Sequence, residues 1–217
     1  MKLYWGSGSP VSWRVQIALA LKHIEYDSHR LDLGAREHRS DAYRLLNPTG
    51  TFPLLVDGDI IVRDSIAILA FLERHTPAPP LFGASLSEAA YIWQHVVEHE
   101  QNLGSHADML TRALFRDGGL DDPEPARAAV SAMEAQLKLL EQQLQHSDWL
   151  CSNAPCALEV VNYPTLHRIL RAAGKSGAAQ IGLERAPFAQ HYPAVQEWLE
   201  RVQALPGIVA TYPPHWR

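Results

Sequence analysis

The chain has 217 residues, with 19 lysines and arginines against 24 aspartates and glutamates, a formal charge of −5. Hydrophobic residues at 47% and charged residues at 20% exclude a disordered chain and supply a core for one large domain or two small ones. An acidic balance without any basic run excludes electrostatic attachment to nucleic acid or anionic lipid, and no apolar stretch approaches the ~20 residues of a membrane span.

The first eighty residues alternate between periods. Lys2 to Trp5 predicts a short strand, and Gly6 to Ser9 a loop. Val11, Val15, Ala18 and Leu19 then recur at helical spacing. Residues 25–31 return to strand character, and 41–46 predict a short helix ending at the turn Asn47-Pro48-Thr49-Gly50. Leu54-Leu55-Val56 and Ile60-Ile61-Val62 flank Asp57-Gly58-Asp59 as a hairpin, and Ile66, Ile68, Leu69 and Leu72 mark one helix after Ser65. The order is βαβα followed by ββα, an α+β arrangement in which the crossover implies parallel neighbours and the hairpin an antiparallel edge.

Thr76-Pro77-Ala78-Pro79-Pro80 reads as linker, because three prolines remove donors and fix φ. Beyond it strand signals vanish. Helical patterns cover residues 87–115, 125–145, 157–172 and 193–205, with breaks at Asp117-Gly118-Gly119, Ser147-Asp148, 174–177 and Pro206-Gly207. The expected division is residues 1–78 as an α/β domain, 79–86 as linker and 87–217 as an all-helical domain. Cys151 and Cys156 are too few for a disulfide framework and read as small buried apolar side chains in a reducing, cytoplasmic setting.

Four segments can carry chemistry. Ser9 precedes Pro10 at a helix start, in Ser7-Gly8-Ser9-Pro10-Val11-Ser12-Trp13-Arg14, and is first of all an N-cap. The same helix end favours an anion, and a hydroxyl there can hydrogen-bond a thiolate. No cysteine lies nearby, so the sulfur would arrive on a ligand. Thr51-Phe52-Pro53-Leu54 places a proline at a strand mouth, where it is an edge proline or a cis one that turns the Phe52 backbone outward to pair with an extended peptide. Asp64 and Ser65 cap the next helix, and are also suited to an ammonium and a carboxylate, the two ends of an amino-acid head group. Glu37-His38-Arg39-Ser40 is a solvated loop that also offers two donors for a carboxylate. His95, His99 and His106 share a helical stripe at metal-ligand spacing, but the H-E-x-x-H pattern is absent, and an interface or solvent face is the preferred reading over a metal site.

Together these segments resemble the glutathione-binding half of the cytosolic glutathione transferases. Ser9-Pro10-x-Ser12-Trp13-Arg14-Val15 resembles the zeta and tau classes. Glu37-His38-Arg39-Ser40 with Leu46-Asn47-Pro48-x-Gly50-Thr51-Phe52-Pro53 resembles the phi class and bacterial members. Asp64-Ser65-x-Ala67-Ile68-x-x-Phe71-Leu72-Glu73 resembles the family's acidic-Ser motif. The resemblance implies a thioredoxin-like domain followed by an all-helical domain, a homodimer, and glutathione as co-substrate attacking a small hydrophobic electrophile. It puts the catalytic hydroxyl on Ser9, with Ser12 in reserve. It places the cysteinyl backbone of glutathione against Phe52 ahead of a cis Pro53, the γ-glutamyl end on Asp64 and Ser65, and the glycine carboxylate on His38 and Arg39. Thr51 stands where the phi class has glutamine. Val11 stands where zeta enzymes carry cysteine, which weighs against a maleylacetoacetate isomerase. Cys156-Ala157-Leu158-Glu159 replaces a Ser/Thr-x-x-Asp capping box, a substitution expected to weaken that turn. Trp5, Trp93, Met109 and Phe115 are candidates for the electrophile's pocket by residue type. The competing expectation is a silent scaffold of the same shape that docks a protein partner through its aromatic tail, Thr211 to Arg217.

Overall fold

A computed structural model describes residues 1–115, 122–151, 153–183 and 188–216. The break expected at Asp117-Gly118-Gly119 lies outside them, as does Arg217. The chain divides into two compact units, Met1–Leu81 with Ala204–Arg217, and Phe82–Gln203.

The first unit is built in the expected order: β1 (Lys2–Trp5), α1 (Pro10–Leu21), β2 (Asp27–Arg30), α2 (Asp41–Leu46), β3 (Leu54–Asp57), β4 (Ile60–Arg63) and α3 (Ser65–His75). The sheet order is β2-β1-β3-β4, with β1 parallel to β2 and antiparallel to β3, and β3 antiparallel to β4. Trp5 pairs with Arg30, Tyr4 with Leu54, and Leu54 with Arg63. The ends of β1, β2 and β4 and the beginning of β3 therefore meet at one edge of the sheet, and the four chemistry-bearing segments leave from that edge.

Helix α1 is buried on nearly every side, from Pro10 through Leu19, Arg14 and Gln16 included. A helix covered on both faces cannot display an amphipathic stripe. One cover is α3. The other is a segment the sequence reading assigned to the helical domain: Ala204–Arg217, including α10 (Ile208–Thr211), returns to this unit and packs on α1. The domain expected to run from 87 to 217 is corrected accordingly. The physical reason is Trp13, which is 1% exposed, donates its indole N–H to Thr211 Oγ1 at 2.8 Å and meets Tyr212 and Trp216 edge-on. Lys22 closes α1 at its other end. Its buried ammonium pairs with Glu73 at 2.6 Å and donates to the Thr76 and Pro79 carbonyls, which ties the proline-rich segment to both helices.

The second unit holds α4 (Leu86–His99), a π-helical turn (Glu100–Gly104), α5 (Ser105–Leu114), α6 (Glu124–Leu144), α7 (Ala157–Ala172), α8 (Phe188–His191) and α9 (Pro193–Gln203). The single helix expected over 87–115 is thus interrupted by one wider turn. Helix α7 is central, with twelve buried residues, and packs against α4, α5 and α9. Its start is stronger than the thiol cap predicted. Cys156 Sγ accepts the Leu158 N–H at 3.4 Å, but Glu159 accepts N–H groups from Cys156 at 2.8 Å, Leu150 at 2.7 Å and the Trp198 indole at 3.3 Å. The two cysteines are partners in a disulfide, where two separate thiols were expected. Glu141 of α6 similarly accepts the Ala194 and Val195 N–H groups at the head of α9.

Burial pushes the His167 imidazole on α7 down to about 4, while burial pushes the Glu159 carboxyl up against the pull of its N–H donors. Below about pH 6.5 the unfolded chain protonates His167 and the folded one does not, so stability present above 6.5 falls by about 1.4 kcal/mol per pH unit towards 4. Glu159 acts in the opposite sense, since its folded state holds the proton longer. The contribution of His167 is isolated by comparing urea midpoints of wild type and His167→Gln at pH 7.5 and 5.5. The variant is expected to lose less stability on acidification, and an identical loss in both proteins would refute the assignment.

Candidate functional site

The loop from β1 to α1 is organised by two serines with different surroundings. Ser9 is the N-cap of α1, half-buried, and its Oγ accepts the Ser12 N–H at 3.3 Å. Accepting that bond leaves the Ser9 O–H proton available for donation. Ser12 is fully buried and its Oγ accepts the Gly6 N–H at 3.3 Å, so it braces the loop from beneath. Pro10 has no N–H and the Trp13 N–H is taken by the Ser9 carbonyl. Among the described residues the Val11 N–H has no hydrogen-bond partner. The site at the head of α1 therefore combines one free hydroxyl proton, one free N–H and the positive end of the helix.

Phe52 joins this loop to the next segment. A Cβ on Gly6 would overlap the Phe52 ring, so the close approach of β1's loop to Phe52 requires glycine there. The Phe52–Pro53 peptide is cis. No hydrogen bond among the described residues engages the Phe52 N–H or C=O, which leaves both for an extended peptide. Thr51 is exposed, and its carbonyl is held by Tyr43 Oη at 2.6 Å and Asn47 Nδ2 at 2.6 Å. Sequence reasoning missed Tyr43 and treated Asn47 only as a turn residue; the Asn-Pro-x-Gly turn, four residues before Thr51, was the available signal. His38 is half-buried with its ring edge-on to Phe52 at 5.7 Å, and its Nδ1 is buried with no hydrogen bond. Arg39 beside it is exposed.

Asp64 caps α3 with Oδ1, which accepts the Ile66 N–H at 2.8 Å and the Ala67 N–H at 3.4 Å. It does so at φ 73°, a costly conformation for a non-glycine residue. Its carboxylate is exposed, and Ser65 behind it is 2% exposed. Phe52, Asp64 and Ser65 flank the paired ends of β3 and β4, since Leu54 is in register with Arg63. The fold thus gathers Ser9, His38, Phe52, Pro53, Asp64 and Ser65 at one edge of the sheet, on four different connections.

The Trp5 indole is tied to Ser28 Oγ at 2.9 Å within the first unit. In the second unit Trp93 stacks on Phe82 at 4.3 Å, Met109 is exposed, and Phe115 lies under Lys175. His95 lies against the Tyr91 ring and donates to its carbonyl, while His99 is buried between Asn162 Oδ1 at 2.9 Å and Thr165 Oγ1 at 3.2 Å. Cys151, Cys156 and Glu159 also cluster, but the two sulfurs are joined in a disulfide and the carboxylate is occupied by N–H donors, so the group offers no thiolate to a metal. No helix among the described residues is long and apolar enough to cross a membrane.

Residues 8–75 match the family model "Glutathione S-transferase, N-terminal domain". The chain is 44% identical over 209 residues to the maleylacetoacetate isomerase of Pseudomonas aeruginosa, covering 91% of this chain and 94% of that one. It is 42% identical over 94 residues to glutathione S-transferase 1 of Dianthus caryophyllus, and the match spans less than half of that relative's length, 42%. Among solved structures, a glutathione S-transferase from the Antarctic clam Laternula elliptica superposes with a TM-score of 0.83 at 26% identity, covering 99% of this chain and 93% of that one. A glutathione transferase family member from Pseudomonas fluorescens, solved with two glutathione bound, shares the fold with a TM-score of 0.82 at 16% identity, covering 97% and 91%.

Proposed function

Since the chain belongs to the glutathione S-transferase family, we propose that it binds glutathione along the sheet edge and activates its thiol for attack on a small hydrophobic electrophile. The observation that carries this reading is the free hydroxyl proton of Ser9 beside the free Val11 N–H at the head of α1. The remainder of the tripeptide would pair with the open Phe52 backbone, set its ammonium on Asp64 and its γ-glutamyl carboxylate on Ser65, and reach His38 and Arg39 with its glycine carboxylate.

The energetics suffice. A free thiol has a pKa near ~8.5, so a few per cent is thiolate at neutral pH. Lowering it by about two units corresponds to roughly 2.7 kcal/mol. A charge-assisted hydrogen bond contributes about 1.5–3 kcal/mol and the helix end about 0.3–1 more. The bound thiolate then adds to an electrophilic carbon. If that carbon belongs to a conjugated double bond, the electron pair moves onto the conjugated carbonyl. Rotation and expulsion of the thiolate then complete an isomerisation, while protonation of the adduct gives conjugation. The first outcome matches the name of the P. aeruginosa relative, although Val11 stands where zeta enzymes have cysteine. A cytoplasmic homodimer belongs to the same proposal.

The aromatic tail, which a scaffold would present to a partner, is engaged with α1 inside its own unit, so the enzyme reading is favoured. Calorimetric titration with glutathione tests it. Saturable binding is expected, and Asp64→Asn, which keeps an N-cap oxygen but removes the charge, is expected to weaken it about tenfold. Absence of saturable binding by the wild type would overturn the proposal, and unchanged affinity in the variant would remove Asp64 from the site.

A further inference from the structure

The loop that presents Ser9 is held by a residue more than two hundred positions away. Ser7 Oγ lies 2.9 Å from His215 Nδ1. Gly8 adopts φ +79°, and a Cβ there would come 2.8 Å from His215 Cε1, 2.9 Å from its Nε2 and 3.2 Å from the Trp216 indole nitrogen. The imidazole thus rests on the Gly8 backbone, one residue before Ser9, where only a residue without a side chain leaves it room. The tail bearing His215 is itself anchored on α1. Trp13 donates to Thr211, meets Tyr212 at 5.1 Å and Trp216 at 5.6 Å, and the Trp216 N–H closes a turn onto the Pro213 carbonyl. The same helix therefore carries the Ser9 cap at its head and the Trp13 anchor one turn later.

We propose that His215 is a positioning residue. Through Ser7 and Gly8 it fixes the conformation of the Ser7-Gly8-Ser9 loop, and so aims the Ser9 hydroxyl and the Val11 N–H at the thiolate. This rests on the thiolate role of that loop. His215 need not touch the sulfur; it limits the loop to one arrangement so that the donors are already in place when the ligand arrives. Ser7 and His215 share one hydrogen bond, and His215 also packs on Gly8, so removing Ser7 in addition to His215 should add little.

The test is the pKa of the bound glutathione thiol, read from thiolate absorbance against pH, in wild type, His215→Ala, Ser7→Ala, the double variant and His215→Asn. Loss of one ordinary hydrogen bond's worth of preorganisation predicts a rise of about half to one pKa unit in each alanine variant. The double variant should rise no further, and His215→Asn, whose amide can still reach Ser7, should recover part of the shift. Below the thiol pKa, kcat should fall roughly three- to tenfold with the glutathione KM within about twofold. A purely structural role would leave the thiol pKa unmoved. If Ser9→Ala raises that pKa but His215→Ala does not, or if the two alanine shifts add fully, the positioning role is wrong while the thiolate role stands. If the wild type forms no thiolate on binding glutathione, both are wrong.

Discussion

Replacing Ser9 with alanine is expected to raise the pKa of the bound thiol by one to two units and to lower turnover at neutral pH by ten- to a hundredfold. The size follows from the geometry. Ser9 Oγ already accepts the Ser12 N–H, so its proton has one remaining direction to be given, and a thiolate is the strongest acceptor that site can receive. Deleting the hydroxyl removes about 1.5–3 kcal/mol of charge-assisted bonding and leaves the Val11 N–H and the helix end to hold the charge. The same change removes an N-cap, for about 1 kcal/mol of stability, so the titration has to be read well below the melting transition. Ser9→Thr retains the hydroxyl and should retain most of the thiolate. Ser12→Ala serves as the contrast, because Ser12 is sealed beneath the loop and bonded to the Gly6 N–H. Its loss should lower stability more than it moves the thiol. A titration in which Ser12→Ala shifts the thiol and Ser9→Ala does not would reverse the assignment of the two serines.

The second large effect concerns the helical unit. Glu159→Ala should cost about 3–6 kcal/mol, a large part of the 5–15 kcal/mol that holds a domain folded. The fully buried carboxyl accepts N–H groups from Leu150, Cys156 and the Trp198 indole, and alanine would leave all three donors buried and unmatched. Each such donor costs about 1–3 kcal/mol, and the relief of no longer burying a carboxylate returns part of the sum. The melting temperature, followed by far-UV circular dichroism, should fall by roughly 10–20 °C. Glu159→Gln keeps an acceptor but turns an amide N–H towards a donor, and should fall between. A loss under 1 kcal/mol for the alanine variant would show that the start of α7 does not depend on this residue.

Much of the molecule was legible from local patterns, for physical reasons that are themselves local. Period-2 and helical spacings placed β1 to β4 and α1 to α3 in order, and the helix expected over 157–172 coincides with α7. Ser9 before Pro10, Asp64 before Ser65 and Phe52 before Pro53 could be singled out because caps and turns are written in neighbouring residues. The π-helical turn at Glu100–Gly104 was not legible, since an apolar stripe continues on either side of it. Nor was the full box at Glu159, whose third donor is Trp198, 39 residues away.

The amino-acid order by itself determined the strand and helix succession, the caps and the family, because each depends on residues a few positions apart. Tertiary packing alone decided which serine keeps an accessible proton, and that residues from Ala204 onward rejoin the first unit instead of extending the helical one. The first rests on Ser12 lying sealed beneath the loop with its Oγ on the Gly6 N–H, and the second on Tyr212 and Trp216, some two hundred residues along the chain, meeting Trp13. Burial is a property of contacts between distant segments, and no local spacing records it.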